Sequence, residues 1–553
     1  MSILETNTKI LSLPKTPSLT KLSQRIDKSC MNLRHNLRIG LGRDAVLIAT
    51  VLLAVAAGFL AYVARLNDVT HDAFHEMALA RELFEHGTLP LEDRFAFTPT
   101  VSPAVHHEWG TGVFLYLVAG ASPLGLDGMA ITRLILIAML GLCIYRAARN
   151  NGANPLVIGL CLPVAFPLAW VGFATLRAQL ITLVCMAIQV LLQQSDWRER
   201  RSWVIAWMFM YVVWLNMHAG FVVGVAMLGL HVIERWIVYW SSIDGNFQLS
   251  DFLNRFWHHF LIAAFLAIGI LINPWGAQYP LYLWHAILMP RPTMLEWQPL
   301  WLIPDAVISL SAFAFMVIGL GYAAKTRQWK RLRGWLFCCL AAYMALKHIR
   351  HGSLFAIAWM IYMPGWLTAT EFGRSSLAIL QTYRTTVLRV SWIAGIASAI
   401  FFVQHSAWRS EIPNTAEEST MVYPVEAVEF LKRSEFRGNL FTPFTAGAYV
   451  SWNCHPNIRV SLDGRYEVAY RDDVLPKHDE FYHAGSNWHD VLSEYDPDAI
   501  LVKQNVPVRK LLGKKEHDTE HFRLAYEDAT FAVFVQDSLS VRTSDSWRDS
   551  QKR

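Results

Sequence analysis

Long apolar runs, separated by short polar segments, fill most of the sequence up to residue 404. The first run, 44–64, is roughly 20 residues long, which is enough to cross a bilayer as a helix. The pattern predicts a polytopic α-helical membrane protein with about 11 spans. The other runs lie at 128–147, 155–175, 178–195, 202–216, 219–240, 257–272, 304–324, 334–347, 353–369 and 388–404.

The sequence after residue 404 has a different pattern, in which short apolar segments alternate with polar ones. Their periods predict a small α/β domain whose last residues, 538–553, are disordered. The predicted helices are 424–434 and 506–515, the predicted strands are 437–444, 457–465 and 496–503, and 522–536 is predicted to form a terminal hairpin.

Positively charged side chains indicate the orientation of the spans, because cytoplasmic loops are enriched in Lys and Arg. The segment 1–43 is basic. If the run 110–121 lies in the membrane interface, the loops with Arg146 and Arg149, with Arg198, Arg200 and Arg201, and with the basic residues of 325–333 and 374–389 all lie on the same side as this segment. We therefore predict a cytoplasmic tail at 1–43, a membrane domain at 44–404 with a long first outer loop at 65–127, and an extracytoplasmic domain at 405–553. The net charge of +5 is small and gives no indication of a nucleic-acid partner.

The first outer loop opens with the sequence HDAFHEM, in which His71, Asp72, His75 and Glu76 share one side of a helix. A carboxylate beside apolar helices is partly desolvated, so its proton affinity rises and it can accept a proton from a hydroxyl group. We predict Asp72 as this base, with Glu76 in support. Two alternatives stay open: a solvated amphipathic helix, and a divalent metal on the two histidines.

Other outer loops carry residues suited to binding a phosphate or an acceptor. Arg177, Lys347 and Arg350 would form a cationic site for a phosphate leaving group, although an Arg at a span end also simply snorkels to the interface. Glu108 and His107 precede the interfacial run and would assist catalysis and support the acceptor, respectively. The alternative for these two residues is that their stretch only anchors the loop at the interface.

Three more polar residues lie at outer span ends or in outer loops: Asn216, His218 and Glu296. We predict that they contact the acceptor or support the site. Helix capping is the alternative for the stretch around Asn216 and His218, and a charge on the rim of the site is the alternative for Glu296.

Together these residues resemble the GT-C superfamily of membrane glycosyltransferases, and more narrowly its lipid A aminoarabinose transferase-like membrane domains. The likeness covers roughly residues 40–405. It rests on an acid that opens the first outer loop, a P-x-x-D-x-F-x-x-T stretch, a His-Glu-Trp triplet before the interfacial run, and the sequence RAQL at the third outer turn. In this chain they are Asp72; Pro90, Asp93, Phe95 and Thr98; His107, Glu108 and Trp109; and residues 177–180.

The resemblance implies an inverting glycosyltransferase of the bacterial inner membrane whose active face is extracytoplasmic. The donor would be a polyprenyl-phosphate sugar, and the acceptor a lipid or glycan of the cell envelope. By the same resemblance Asp72 would deprotonate the acceptor, while Arg177 and Arg350 would bind the donor phosphate. A transporter or flippase and a non-catalytic envelope scaffold are the alternatives. Near the middle of the membrane the predicted spans are nearly free of ionisable groups, with His231 as the exception, which favours surface chemistry over transport.

Overall fold

The computed structural model describes residues 46–538 apart from short gaps. The predicted cytoplasmic tail at 1–43 and the predicted disordered end after residue 538 therefore lie outside the described residues. The gaps are residues 66, 244–246, 290, 292–293, 305, 328–331, 416–420, 515–518 and 520.

The described chain up to residue 403 is mainly helical, and its helices are numbered α1–α15 in chain order. They are α1 Val46–Val63, α2 His71–His86, α3 Trp109–Leu115, α4 Asp127–Asn150, α5 Pro155–Ala169, α6 Ala178–Asp196, α7 Trp203–Met217, α8 Phe221–Trp240, α9 Leu249–Gly269, α10 Gln278–Leu288, α11 Val307–Arg327, α12 Trp335–Lys347, α13 Gly352–Thr368, α14 Glu371–Thr382 and α15 Arg384–Val403.

The prediction of a polytopic helical membrane protein is confirmed, but fewer helices than expected qualify as spans. Among the described residues, seven helices are long and apolar enough to cross a membrane, namely α1, α4, α5 with the 3₁₀ turn that extends it to Gly172, α6, α8, α11 and α15. The segment of α13 and α14 makes an eighth candidate, bent by 84°. The expected count of about 11 is too high by this measure, because α7 and α12 have only 15 and 13 residues and the polar residues of α9 lower its hydropathy.

Local sequence sets several helix ends. The side chain of Asn154 accepts a hydrogen bond from the backbone N–H of Leu156 at 2.9 Å, and Pro155 follows at the first helical position, where its missing N–H costs nothing. At the other end of a helix, Gly87 terminates α2 with a φ of +75°, and its N–H donates to the carbonyl oxygen of Leu83 at 2.8 Å.

Helix α13 forms the centre of the bundle. Every residue from Gly352 to Leu367 is buried, and the helix packs against α4, α5, α11 and α12. This position agrees with its sequence, since a helix that is apolar on all sides is typical of a core position. By contrast, only 6% of the residues in the most apolar stretch of α15 are buried, so this helix lies at the periphery of the bundle.

Residues 421–538 form the predicted sheet-containing domain, a five-stranded mixed sheet in the order β2-β1-β3-β5-β4. Strand β1 runs parallel to β2 and β3, whereas β5 is antiparallel to β3 and β4. The predicted second helix, 506–515, is only a 3₁₀ turn at Pro507–Lys510. The elements are β1 Gly438–Phe441, β2 Ile458–Val460, β3 Ala499–Lys503, β4 Phe522–Glu527, β5 Phe531–Gln536, α16 Val425–Arg433, α17 Phe444–Cys454, α18 Val474–Tyr482 and α19 Trp488–Tyr495.

The C-terminal domain packs on one end of the helix bundle, which we call the domain face. There α17 packs against α2, and Ala96 of the first loop forms a β-bridge with Val460. The connections that precede α6, α8 and α13 lie on this same face. We call the opposite end, which carries the α4–α5, α6–α7 and α8–α9 connections, the far face.

The P-x-x-D-x-F-x-x-T stretch also joins the first loop to the C-terminal domain. Asp93 forms an ion pair with Arg465, which is buried and also pairs with Asp463. The hydroxyl of Thr98 donates to the backbone oxygen of Ser461 at 2.6 Å. The motif therefore holds the first loop against the C-terminal domain.

Candidate functional site

Charged side chains from four separate segments meet on the domain face in one continuous chain of ion pairs, which we call the arginine cluster. Its members are His71, Asp72, Arg177, Glu296 and Arg350. The separations along it are 3.3 Å from His71 Nε2 to Asp72 Oδ1, 2.5 Å from Asp72 Oδ2 to Arg177 Nη2, 3.3 Å from Arg177 Nη1 to Glu296 Oε2 and 3.2 Å from Glu296 Oε1 to Arg350 Nη1.

Glu296 bridges the two arginines of this cluster, with one carboxylate oxygen on each guanidinium group. The side chains of Arg177 and Glu296 are 32% and 33% exposed, so a solute reaches them from outside the protein. The guanidinium of Arg350 also lies 4.5 Å from the centre of the Trp297 ring, which fixes its direction. Two guanidinium groups aimed at one anion suit a phosphate as well as a carboxylate.

The rise in proton affinity that we expected for Asp72 is not found. Burial raises the pKa of Asp72, but the charge of Arg177, the charge of His71 and the hydrogen bond from Arg177 together outweigh burial, so the pKa lies well below its usual range. In turn, the carboxylate of Asp72 raises the pKa of Arg177. Asp72 is therefore an ionised carboxylate that holds Arg177 in place.

Glu76, one turn further along α2, is the carboxylate with a raised pKa. Its side chain is 9% exposed, its Oε1 lies 3.4 Å from His75 Nε2, and its Oε2 has no hydrogen-bond partner among the described residues. Burial is the largest influence and raises the pKa of Glu76 to about 7, against the lowering effect of His75. A carboxylate with a pKa near neutrality is well matched to accept a proton from a substrate.

Glu108 lies beside these groups and is paired with two histidines. Its Oε1 is 3.4 Å from His107 Nε2 and 3.3 Å from His218 Nε2. Although burial raises its pKa, the hydrogen bond from His107 and the charge of His218 lower it to about 2. The negative charge of Glu108 also acts on the pKa values of Glu76 and Arg177, so the three groups belong to one electrostatic site.

Two of the predicted site residues are not brought into this arrangement. Asn216 accepts a hydrogen bond from Trp109 Nε1 at 3.0 Å and donates to the backbone oxygens of Val212 and Ile272 at 2.8 and 2.9 Å, so it ties α3 to the end of α7. Lys347 is exposed at the end of α12, and within the described chain no ion pair joins it to the arginine cluster.

The C-terminal domain forms a wall of the site, which the sequence analysis missed. A Cβ atom on Gly464 would lie 3.2 Å from atoms of both the His71 and the His75 rings, so the turn at Asp463 touches α2 directly. The ring of Phe444 lies edge-on to His71 at 6.0 Å. The Asp-Gly dipeptide signals a turn, but nothing local in the sequence signals contact with a helix almost 400 residues earlier.

Several buried polar atoms around α2 lack a hydrogen-bond partner in the described part of the chain. Buried polar groups in proteins are nearly always paired, so a concentration of exceptions marks a place where substrate groups or water bind. The atoms are His71 Nδ1, His75 Nδ1, Glu76 Oε2 and His106 Nε2.

His71 and His75, which the sequence suggested as possible metal ligands, do not belong to any cluster of three potential metal ligands among the described residues. Clusters in which three His, Cys, Asp or Glu side chains offer ligand atoms within 4.8 Å of one another occur elsewhere. They are Asp196 with His258 and His259, and Glu82 with Glu85 and His86.

A second set of buried charged residues, which we call the Asp196 cluster, lies towards the far face. Asp196, at the end of α6, is 2.7 Å from His258 Nε2, 3.0 Å from His231 Nε2, 3.4 Å from His259 Nε2 and 3.0 Å from Arg235 Nε. Asp196 lies just beyond the predicted span 178–195, and His258 and His259 lie at the start of the predicted span 257–272, so these three residues are at span ends and not in the middle of the membrane. The adjacent histidines inside a predicted apolar run were the available signal.

The comparisons with known proteins bear on the fold. No family model matches the sequence, and no curated protein matches it. Among solved structures, the chain is similar to ArnT from Cupriavidus metallidurans bound to undecaprenyl phosphate, with a TM-score of 0.50 and 12% identity over 90% of this chain and 98% of that one. The apo state of the same ArnT gives a TM-score of 0.49 and 11% identity over the same shares.

Proposed function

We propose that this chain, which has a GT-C-like membrane glycosyltransferase fold, transfers a sugar from a polyprenyl-phosphate donor to a lipid or glycan acceptor of the cell envelope. The main support for the proposal is that Glu296 bridges Arg177 and Arg350. The two guanidinium groups therefore point at one anion position on the domain face. The likeness to a structure described as bound to undecaprenyl phosphate supports a lipid phosphate as the donor group.

In this proposal the donor phosphate takes the place of the Glu296 carboxylate. Its oxygens accept hydrogen bonds from Arg177 and Arg350, which then face the negative charge that develops on the leaving phosphate. Asp72 contributes by keeping Arg177 charged and oriented. The exposure of the arginine cluster allows this exchange, whereas a fully buried ion pair would oppose it.

The transfer itself is one displacement at the anomeric carbon. The acceptor oxygen bonds to that carbon, the bond from the carbon to the phosphate oxygen breaks, and its electron pair stays on the phosphate. The proton of the acceptor hydroxyl goes to a carboxylate. We assign this role to Glu76 because its pKa is near neutrality, whereas the pKa of Asp72 lies well below its usual range. Glu108 with His107 and His218 holds the adjoining part of the site.

The same proposal assigns the domain face to the outside of a bacterial inner membrane. On the far face, the connection between α6 and α7 carries Arg198, Arg200 and Arg201, and the end of α4 carries Arg146 and Arg149. Since basic connections are typical of the cytoplasmic side, the active face and the C-terminal domain are extracytoplasmic.

The deciding experiment is transfer from radiolabelled polyprenyl-phosphate sugars in membranes that contain equal amounts of each variant. We expect wild type and the surface control Glu85→Gln to transfer sugar equally, and Asp72→Asn and Glu76→Gln to lose transfer while remaining folded. Equal transfer by all four proteins would remove both carboxylates from the mechanism. No transfer from any donor by wild type would contradict the proposed function.

A transporter or flippase is the second candidate, and the Asp196 cluster favours it because ionisable groups inside transmembrane helices often line transport routes. This function predicts that wild type moves a labelled lipid-linked sugar across a vesicle membrane with the sugar–phosphate bond intact. A scaffold, the third class, predicts neither transfer nor transport, and no effect of Asp72→Asn or Arg177→Ala.

A further inference from the structure

We propose that Asp196, His258 and His259 form a metal site that clamps α6 to α9 near the far face. Their ligand atoms lie within 4.8 Å of one another, and the three residues are only 1%, 1% and 4% exposed. His231 of α8 also contacts the Asp196 carboxylate, at 3.0 Å, beside these three residues. The proposed transfer reaction uses none of these residues, so the metal site stands independently of it.

The separations within the Asp196 cluster suit a tetrahedral ion after small movements. Nitrogen and oxygen ligands at about 2.0–2.1 Å from such an ion lie about 3.3–3.4 Å from one another. The distance from His259 Nε2 to Asp196 Oδ2 is 3.4 Å, which is long for a hydrogen bond but suits two ligands of one ion. His258 Nε2 and Asp196 Oδ1 are 2.7 Å apart and would have to separate by about 0.6–0.7 Å to reach this spacing.

Each imidazole can bind the metal through Nε2 only if its proton is on Nδ1. A neutral histidine that binds a metal through Nε2 carries its proton on Nδ1. At His259, Nδ1 has no hydrogen-bond partner in the described chain. Nothing described therefore prevents Nδ1 from carrying the proton and leaving Nε2 free for the metal. At His258, Nδ1 accepts a hydrogen bond from Arg201 Nη1 at 2.8 Å, so metal binding requires this partly exposed arginine to turn away.

The donor set indicates the class of metal. Imidazole nitrogens with one carboxylate oxygen are preferred by Zn²⁺ and related first-row divalent ions, whereas Mg²⁺ and Ca²⁺ prefer oxygen ligands throughout. Asp196 offsets part of the metal charge, and Glu199 offsets the charge of Arg235, with which it pairs at 3.0 Å. Aromatic rings lie within 5.2–6.3 Å of the imidazoles and limit the access of water.

The test uses the full-length protein in detergent, purified with a tag that contains no histidine. After equilibration with Zn²⁺ alone, wild type is expected to retain about one ion per chain, and a chelator is expected to lower its Tm by about 5 °C or more. Co²⁺ in place of Zn²⁺ is expected to show the visible absorption of nitrogen-ligated cobalt. Wild type that binds neither ion would overturn the proposal without the need for any variant.

Variants then locate the ion. The double substitution His258→Gln and His259→Gln is expected to weaken Zn²⁺ binding at least tenfold, whereas the control His86→Gln, in the other metal-type cluster, retains it. Arg201→Gln is expected to tighten binding severalfold, since it frees Nδ1 of His258 to carry its proton. Zinc retained by the double variant but lost from His86→Gln, or binding weakened by Arg201→Gln, would contradict the proposal.

Discussion

The arginine cluster and the Asp196 cluster are built from the same residue types but in opposite settings. In the arginine cluster, Arg177, Glu296 and Arg350 come from connections between helices, His71 and Asp72 begin α2, and the side chains are 19–33% exposed. In the Asp196 cluster the carboxylate and its three histidines are all on helices and at most 7% exposed. The first arrangement leaves charged groups that a substrate can engage, and the second holds charged groups that the fold depends on.

This difference follows from the cost of desolvation. A charge deep inside a protein is tolerated only with a full set of partners, so removing one partner is expensive, whereas partly exposed pairs exchange partners at little cost. The comparison therefore predicts that substitutions in the Asp196 cluster act mainly on stability, and those in the arginine cluster mainly on activity.

The largest effect is expected for Asp196→Asn. Loss of its charge leaves buried Arg235 and the imidazoles without their shared anion, which lowers the free energy of unfolding by about 3–5 kcal/mol. Glu199→Gln, at a side chain of the same network that is 46% exposed, should cost less than about 1 kcal/mol. Thermal unfolding of the two purified variants measures this difference. Equal losses of stability in both variants would contradict the distinction between buried and exposed pairs.

Arg177→Ala is expected to reduce transfer about 100- to 1,000-fold, because it removes a cation that faces the leaving phosphate. Its Tm should stay near that of wild type. Arg94→Ala removes a partly exposed arginine that pairs with Glu82 on the same face and serves as the control with unchanged transfer. A strong loss of Tm without a specific loss of turnover would place Arg177 with the structural residues instead.

The pH dependence of transfer is expected to report Glu76. A base must be unprotonated, so transfer by wild type should rise about tenfold per pH unit below the pKa of about 7 and level off above it. Glu76→Gln should lower transfer about 100-fold and abolish this rise. The activity that remains in Asp72→Asn should still rise with pH. If the rise with pH were lost in Asp72→Asn but kept in Glu76→Gln, Asp72 would be the base instead.

Glu296→Gln is expected to tighten the binding of undecaprenyl phosphate by about 3- to 10-fold, because the carboxylate competes with the phosphate for Arg177 and Arg350. Binding to the purified protein measures this directly. Weaker binding would show that Glu296 positions the two arginines for the donor. Binding that is unaffected by Glu296→Gln and by Arg177→Ala alike would separate the donor from this cluster altogether.

The smallest effect is expected for Gly464→Ala, which tests the contact between the C-terminal domain and α2. The added methyl group would lie 3.2 Å from both histidine rings, so the rings must shift slightly and transfer should fall about twofold to fivefold. Gly141→Ala in α4 meets no atom within 4 Å and is the matched control. Unchanged transfer in both variants would leave the C-terminal turn outside the site.

The class of the protein and much of its architecture can be predicted from the amino-acid sequence alone. Apolar runs of span length produce helices such as α4 and α8 wherever they occur, because a helix satisfies its backbone hydrogen bonds internally. The alternating pattern of 522–536 likewise predicts the β4–β5 hairpin. These properties depend on neighbouring residues alone, so they can be read without a structure.

Which charged groups act on one another depends on the tertiary structure. Asp72 and Arg177 are 105 residues apart and Arg177 and Glu296 are 119 residues apart, yet these contacts lower the pKa of Asp72 and leave the raised value to Glu76. The gathering of Asp196 with three histidines from two other helices is equally non-local. Proton affinity depends on burial and on charges a few ångströms away, and the order of residues along the chain does not contain those distances.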